Sequence, residues 1–417
     1  MSNDSVFVFQ RRGWIMISDP LKPRCYVFVE GLQADAVICA VFELDLASGT
    51  GYFRYGKSWL ERPDAFPLDP LHLPLSEQEF ICRLPKAVFG VLSDAAPDSW
   101  GRKLMLSLHS TKPQHEVDFL LAGSGEGVGA LAFSLSRHQA KKKIAKNQFA
   151  DLQSLTQSKN DLLAHNSLSA EAKKALEYGI SMGGARPKSS VQDGDRLYLV
   201  KFNKADDLVN MARVEHATLT LAQQFGIRVA HSKVVQTGFE DVLLIERFDR
   251  SASQIHSHFI SAESLFSEQK VSELSLKISY GYPALAEILR QYSSEPSDSE
   301  ELFRRMLFNL LIGNTDDHGR NHALLLDLTS KDWRLSPAYD MVPVNNSRQH
   351  AMGLGDFGRA GTVENALSQC SRFALKLNKA RQIVAEAELL IRSWPQHFSK
   401  AGVSAADIEV LKALIPH

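Results

Sequence analysis

The octapeptide Asn314-Thr315-Asp316-Asp317-His318-Gly319-Arg320-Asn321 and the later segment Ser336-Pro337-Ala338-Tyr339-Asp340-Met341-Val342-Pro343 constrain this chain more than any other feature. Asp316 and Asn321 have the D-x-x-x-x-N spacing of a protein-kinase catalytic loop, in which the aspartate receives the proton of an attacking hydroxyl and the asparagine holds Mg2+. Asp340, 19 residues beyond Asn321, is then the second metal ligand. Phosphoryl transfer asks for positioning and charge neutralisation more than covalent chemistry, so two carboxylates and an amide around Mg·ATP make up most of a catalytic site. Asp317 is a second candidate base, and the five-residue spacing to Asn321 selects Asp316.

Such a loop should be accompanied by a phosphate-covering turn, a strand lysine and a carboxylate that orients it. All three lie upstream in that order. The turn is Gly183-Gly184-Ala185-Arg186-Pro187-Lys188, whose adjacent glycines let backbone N–H groups approach phosphate oxygens without a Cβ in the way. It is not a Walker A loop, because no glycine precedes Lys188. Lys201 ends the strand-like Leu197-Tyr198-Leu199-Val200, and Glu215 follows 14 residues later on an expected helix as its natural partner. The strand Val242-Leu243-Leu244-Ile245 runs into Glu246-Arg247-Phe248, where a small lobe hands over to a large one and backbone normally meets adenine.

The remaining pattern divides into three parts. Residues 1–140 mix short β-rich runs with a Pro-studded middle and a helix near Asp98 to Leu108, which reads as a separate α/β unit. Residues 141–250 begin as a polar, Lys-rich linker and helix, then follow the order turn, Lys-bearing strand, helix and hairpin expected of a kinase small lobe. Residues 251–417 carry helical periodicity and predict a helical large lobe, including one long pattern from Val363 to Trp394.

Composition removes several alternatives. Forty-seven Lys and Arg nearly balance 48 Asp and Glu, so no global basic field argues for direct binding of nucleic acid or an anionic membrane. No recognisable DNA-reading motif is present, and no apolar run approaches a membrane span. Four scattered cysteines without a C-x-x-C pair fit buried thiols in a reducing compartment, and the N-terminus does not resemble a secretory signal; the expected location is the cytoplasm. Gly125-Glu126-Gly127-Val128-Gly129-Ala130 satisfies the dinucleotide fingerprint, yet strand-like residues follow where a helix is required, which predicts a tight turn instead. His318 and His322 are four apart, but Gly319 stands where the zincin glutamate belongs.

Taken together, Ile180-Ser181-Met182-Gly183-Gly184-Ala185-Arg186-Pro187-Lys188, Tyr198 to Phe202, Val214 to Ile227, Leu244 to Arg250, Gly313 to His322 and Pro337 to Pro343 resemble the HipA family of serine/threonine kinases. The likeness extends into the N-terminal unit through Leu92 to Met105 and Gly127 to Phe133. HipA proteins are the toxin partners of HipB-type DNA-binding antitoxins. The resemblance implies an α+β, protein-kinase-like fold with an N-terminal α/β subdomain, a mixed small lobe and an all-helical C-terminal lobe. It implies Asp316 as general base, Asn321 and Asp340 as Mg2+ ligands, Lys201 on the phosphates, Gly183 to Lys188 as ATP loop, and Glu246, Arg247 and Phe248 as adenine hinge. His318 and Tyr339 would border the nucleotide. Family members also autophosphorylate a serine before that loop, ejecting it and silencing the enzyme; Ser181 holds that position. The chain departs from the family at Asp317, where a small residue is more common, and at Arg186-Pro187.

The expected function is therefore an ATP- and Mg2+-dependent serine/threonine kinase, held in check by a HipB-like antitoxin through which alone it would meet DNA. Its acceptor would be a protein Ser or Thr, an aminoacyl-tRNA synthetase being a known family target. Two other readings compete: a non-catalytic nucleotide-binding module of a regulatory complex, and a metal-dependent phosphohydrolase built on Asp316, Asp317 and His318.

Overall fold

The computed structural model describes residues 23–108, 111–123, 125, 127–141, 146–164, 166–177, 186–238, 240–267, 280–344, 347 and 349–416. Its first sheet is antiparallel: β1 (Arg24–Val29), β2 (Val37–Asp45), β3 (Thr50–Tyr55), β4 (Phe80–Cys82) and β5 (Leu131–Ser134), in the order β4-β3-β2-β1-β5. The helices Gly90–Ala95, Ser99–Leu108 and Glu116–Ala122 lie between β4 and β5 in the chain. The fingerprint-like segment before β5 is a turn, as its following residues demand: Gly125 and Gly129 both have positive φ, and a Cβ on Gly129 would come within 2.7 Å of the Phe259 nitrogen.

A second sheet holds β6 (Asn147–Gln148), β7 (Lys188–Asp193), β8 (Arg196–Phe202), β9 (Ser232–Thr237) and β10 (Glu240–Glu246), ordered β6-β7-β8-β10-β9. β8 alternates inward apolar residues with less buried ones, as a half-covered strand should. Its apolar face packs with Leu152 and Leu155 of the Leu152–Leu163 helix and with Val242 and Leu244 of β10. The Met211–Gln224 helix, whose N-cap Asn210 accepts from the Arg213 N–H, carries Glu215 toward this sheet.

The C-terminal part is mainly helical, led by Tyr282–Tyr292, Asp298–Ile312 and Leu377–Ile391. It is not all-helical, as the sequence reading had it. β11 (Ser257–Ser261), β12 (Ala323–Asp327) and β13 (Trp333–Leu335) form a three-stranded antiparallel sheet. Ala323 to Leu326 is a short apolar run, which periodicity alone cannot separate from buried helix. The long pattern from Val363 is likewise broken into Val363–Ser368, Leu377–Ile391 and Trp394–Lys400, with Ala374 at φ 60 between the first two.

One apolar cluster joins the N-terminal sheet (Val27, Phe42, Phe53) to the C-terminal helices (Leu302, Phe303, Ile383, Phe398). The N-terminal unit thus owns a sheet but shares its core. All four cysteines are buried and none is in a disulfide, and among the described residues no helix is long and apolar enough to cross a membrane.

Candidate active site

Lys201 sits near the end of β8 with its Nζ 2.7 Å from Glu215 Oε1 and 2.6 Å from Asp340 Oδ1. Burial works against the ammonium, but the charges of Asp340 and Glu215 overcome it and leave Lys201 above the usual lysine value. Burial likewise opposes the Asp340 carboxylate, and Lys201 turns the balance, holding its pKa below the ordinary range. Glu215, more deeply buried, moves upward, with Lys201 offsetting only part of the burial. Lysine, helix glutamate and later aspartate, 139 residues apart at the extremes, therefore meet at one point.

Asp340 takes a left-handed backbone conformation, φ 60, which costs a non-glycine residue about 1–2 kcal/mol. The segment before it is pinned to the small lobe by Ala230 N–H to Ala338 O (2.9 Å) and Ala338 N–H to Arg228 O (2.7 Å). Strain retained against such anchoring is characteristic of sites whose side chain must point in one direction.

The Asp298–Ile312 helix ends at Gly313 in the left-handed region, a C-terminal stop that only glycine adopts readily. The chain then forms the 314–321 loop. Asp316 is exposed at its surface, whereas the neighbouring Asp317 is buried. Asp317 Oδ2 accepts from the Tyr282 hydroxyl and lies 2.7 Å from His322 Nε2. Asn309 Nδ2 donates to the Tyr282 oxygen (3.1 Å), and Asn314 Nδ2 to Asn309 Oδ1 (3.1 Å). Burial would raise the Asp317 pKa, but His322 and Tyr282 bring it below the usual carboxylate range. The two adjacent aspartates are thus sorted: one is held inside as an anion by a polar network, the other is left facing outward.

The loop backbone is fastened from the other side. The Gly319 N–H donates to Tyr280 Oη (2.7 Å), whose hydroxyl donates to Glu263 Oε2 (2.7 Å). A Cβ on Gly319 would come within 2.7 Å of the Glu263 nitrogen, so no other residue fits. Tyr339 Oη donates to Arg320 O at 2.8 Å. Asn321 is buried, and its carboxamide makes no hydrogen bond to another described residue. Nδ1 of His318 is buried without a hydrogen-bond partner among those residues.

Phe248 and Tyr339 stack with ring centroids 5.7 Å apart, beside Leu199, Leu243 and Ile245. Glu246 N–H donates to His231 O and Arg247 N–H to Leu197 O, both at 2.8 Å. The Arg247 guanidinium turns away from this aromatic wall, bonding Asp249 and Gly127 O. Arg186 pairs with Asp207, and Lys188 is buried against Asp98, 2.6 Å away. Ser181, Gly183, Gly184 and Ala185 lie outside the described residues, and Pro187 O accepts the Phe202 N–H at 3.1 Å.

For the zinc reading of His318 and His322, His322 Nε2 is bonded to Asp317, while the Nδ1 atoms of both rings are buried without a partner among the described residues. Among the described residues no group of three or more His, Cys, Asp or Glu is placed to hold a metal. Sequence reasoning missed Tyr280, Tyr282 and Glu263 as supports of the loop, and Asp98 as the partner of Lys188. Asp98 carried a signal that pointed elsewhere: an aspartate before Ser99 reads as a helix N-cap, and it is one, accepting the Gly101 N–H at 2.6 Å.

This two-lobed arrangement, with a lysine strand facing a catalytic-type loop, defines a kinase-like fold. Residues 180–394 match the family model described as HipA-like C-terminal domain, and residues 39–134 match the HipA N-terminal domain. The chain belongs to the HipA family. It is 26% identical over 201 residues to a putative kinase of Haemophilus influenzae, covering 42% of this chain and 55% of that protein. It is 28% identical over 179 residues to the serine/threonine-protein kinase toxin HipA of Shewanella oneidensis, covering 38% of this chain and 40% of that one. These matches therefore span less than two thirds of either relative. Among solved structures it resembles a chain of the Shewanella oneidensis MR-1 toxin–antitoxin complex of HipA, HipB and operator DNA, with a TM-score of 0.65, 16% identity, and 93% of this chain and 94% of that chain covered.

Proposed function

We propose that this chain is an ATP- and Mg2+-dependent serine/threonine protein kinase that acts as the toxin of a pair with a HipB-like DNA-binding antitoxin. The observation that carries this reading is the placement of Lys201 between Glu215 and Asp340, with Tyr339 beside Asp340 bonded to Arg320 O of the loop that carries the exposed Asp316. Lys201 would neutralise phosphate charge, Glu215 would orient it, and the Phe248–Tyr339 pair would border the base. Asp316 would accept the proton of the acceptor hydroxyl as its oxygen bonds to the γ-phosphorus and the bond to the β-phosphate oxygen breaks.

The residues present suit Mg2+. Asp340 offers a carboxylate kept ionised by Lys201, and Asn321 offers a buried amide with no partner among described residues; Mg2+ typically takes one or two such protein ligands and completes its shell with phosphates and water. Bound there, it would neutralise charge on the transferring phosphates. The network that consumes Asp317 argues against the phosphohydrolase alternative, which needs that carboxylate on a metal.

The antitoxin partner is inferred from the solved relative, which was found with HipB, and an aminoacyl-tRNA synthetase acceptor and Ser181 autophosphorylation from the family resemblance. Incubation of the purified protein with labelled ATP, with cell extract and with or without a Mg2+ chelator, tests the kinase. Label on protein serine or threonine, lost with the chelator, is expected; tight nucleotide binding with no transfer would favour a non-catalytic module. Intact mass after ATP incubation should show one phosphate on wild type and none on Ser181→Ala.

A further inference from the structure

Lys188 on β7 and Lys201 on β8 are directly paired across the two strands. Directly opposed residues project from the same face with Cβ atoms about 4.5–5.5 Å apart, so two ammonium groups share one small region of the sheet. Like charges so placed are unfavourable unless each is answered. Lys201 is answered by Glu215 and Asp340. Lys188 is answered by the N-terminal unit: Asp98 Oδ2 lies 2.6 Å from its Nζ, and the two side chains are 3% and 2% exposed. The same turn also holds the Lys188 backbone, because Trp100 Nε1 donates to Lys188 O at 3.0 Å. Asp98 is itself fixed, its other oxygen capping the Ser99–Leu108 helix through Gly101.

The neighbourhood explains why this clamp matters beyond packing. Burial pushes the Lys188 pKa down and Asp98 opposes that shift, while Lys188 is among the charges that keep Asp340 ionised. Within this patch, three carboxylates serve two lysines. Without Asp98, the Lys188 ammonium would still feel Asp340, one of the two carboxylates that hold Lys201.

We propose that Asp98 is a positioning residue for the nucleotide site: by clamping Lys188 it keeps that ammonium away from Asp340 and so reserves that carboxylate for Lys201 and Mg·ATP. The N-terminal unit thereby shapes a site whose other proposed groups come from the two lobes. This rests on the kinase reading, and the test separates the two.

Binding of Mg2+ with the β,γ-imido analogue of ATP is measured by calorimetry on the full chain, with melting followed in parallel, for wild type, Lys201→Met, Asp98→Asn, Lys188→Met and the double variant Asp98→Asn with Lys188→Met. Wild type should bind and Lys201→Met should not. Asp98→Asn should bind at least about tenfold more weakly, the scale of a buried charge left without its partner. Adding Lys188→Met should recover most of that loss, because the stray ammonium is gone, although a second core change does not restore melting. A purely structural pair would give the opposite: the double variant would bind as Asp98→Asn does or worse. Asp98→Asn binding like wild type would also overturn the proposal. If Asp98→Asn does not fold, Asp98→Glu, which displaces the carboxylate by one methylene, is compared with Asp98→Glu carrying Lys188→Met and judged by the same recovery. No binding by wild type would remove the kinase reading itself.

Discussion

The cleft and the seam between the N-terminal unit and the two lobes are both assembled from charged and polar groups, yet they use them differently. In the cleft, Asp316 is exposed, Asp340 is half-buried and the Asn321 carboxamide has no described partner. At the seam most of the groups are buried and bonded, although Asp94 is only half-buried and His258 Nδ1 has no partner among the described residues. Asp94 accepts from Ser261 N–H and from the Ser261 and Ser264 hydroxyls, Asp249 accepts from Gly129 N–H and Arg247, and His258 Nε2 donates to Leu68 O at 2.8 Å. Buried polar groups are costly unless satisfied, so the seam buys order, whereas unsatisfied capacity in the cleft is capacity to bind. Asp317 stands between the two kinds, a seam-like buried anion placed one residue from the proposed base.

This contrast can be broken or sharpened by substitution. Lys201→Met should produce the largest change, slowing phosphate transfer about 10²–10³-fold in a steady-state assay. Asp249→Asn should do the reverse. It removes the Asp249 charge that Arg247 and Arg250 both meet and should cost about 3–5 kcal/mol in chemical denaturation, while protein that remains folded transfers phosphate at close to the wild-type rate. Asp317→Asn should show both effects at smaller size, losing about 1–3 kcal/mol and slowing transfer through loosening of the loop, with Tyr282→Phe giving the same pattern. A stable Asp317→Asn that transfers normally would mean the network is incidental.

The smallest effect at neutral pH belongs to His258. Burial lowers its pKa from 6.5 to about 4, the bond to Leu68 O only partly opposing. A histidine with a depressed folded-state pKa contributes stability that is present above pH 6.5 and is lost as pH falls toward 4. Melting temperature should therefore decline through that window, and His258→Gln should flatten the decline. An unchanged slope in His258→Gln would assign the acid sensitivity to other groups.

Much of the cleft was legible because its parts obey spacing rules. Lys201, Glu215, Asp316, Asn321 and Asp340 could be named from motif order, and the structure brings Lys201, Glu215 and Asp340 into contact. The seam was hidden for physical reasons. Asp98 and Lys188 are 90 residues apart, and each has an adequate local reading, as helix cap and as loop lysine. The three-stranded sheet escaped because Leu324 to Leu326 is too short and too uniformly apolar to show a period. The second aspartate could be set aside by counting, but only burial reveals that Asp317 has a task of its own.

The central claim is that Asp316, not Asp317, serves the acceptor hydroxyl from a loop held by the rest of the molecule. Its most direct test is the rate of phosphate transfer from labelled ATP by Asp316→Asn, measured beside its melting temperature. The account predicts transfer reduced about 10²–10⁴-fold, the range for loss of a general base, with melting unchanged because the side chain is exposed. Undiminished transfer by Asp316→Asn would contradict it.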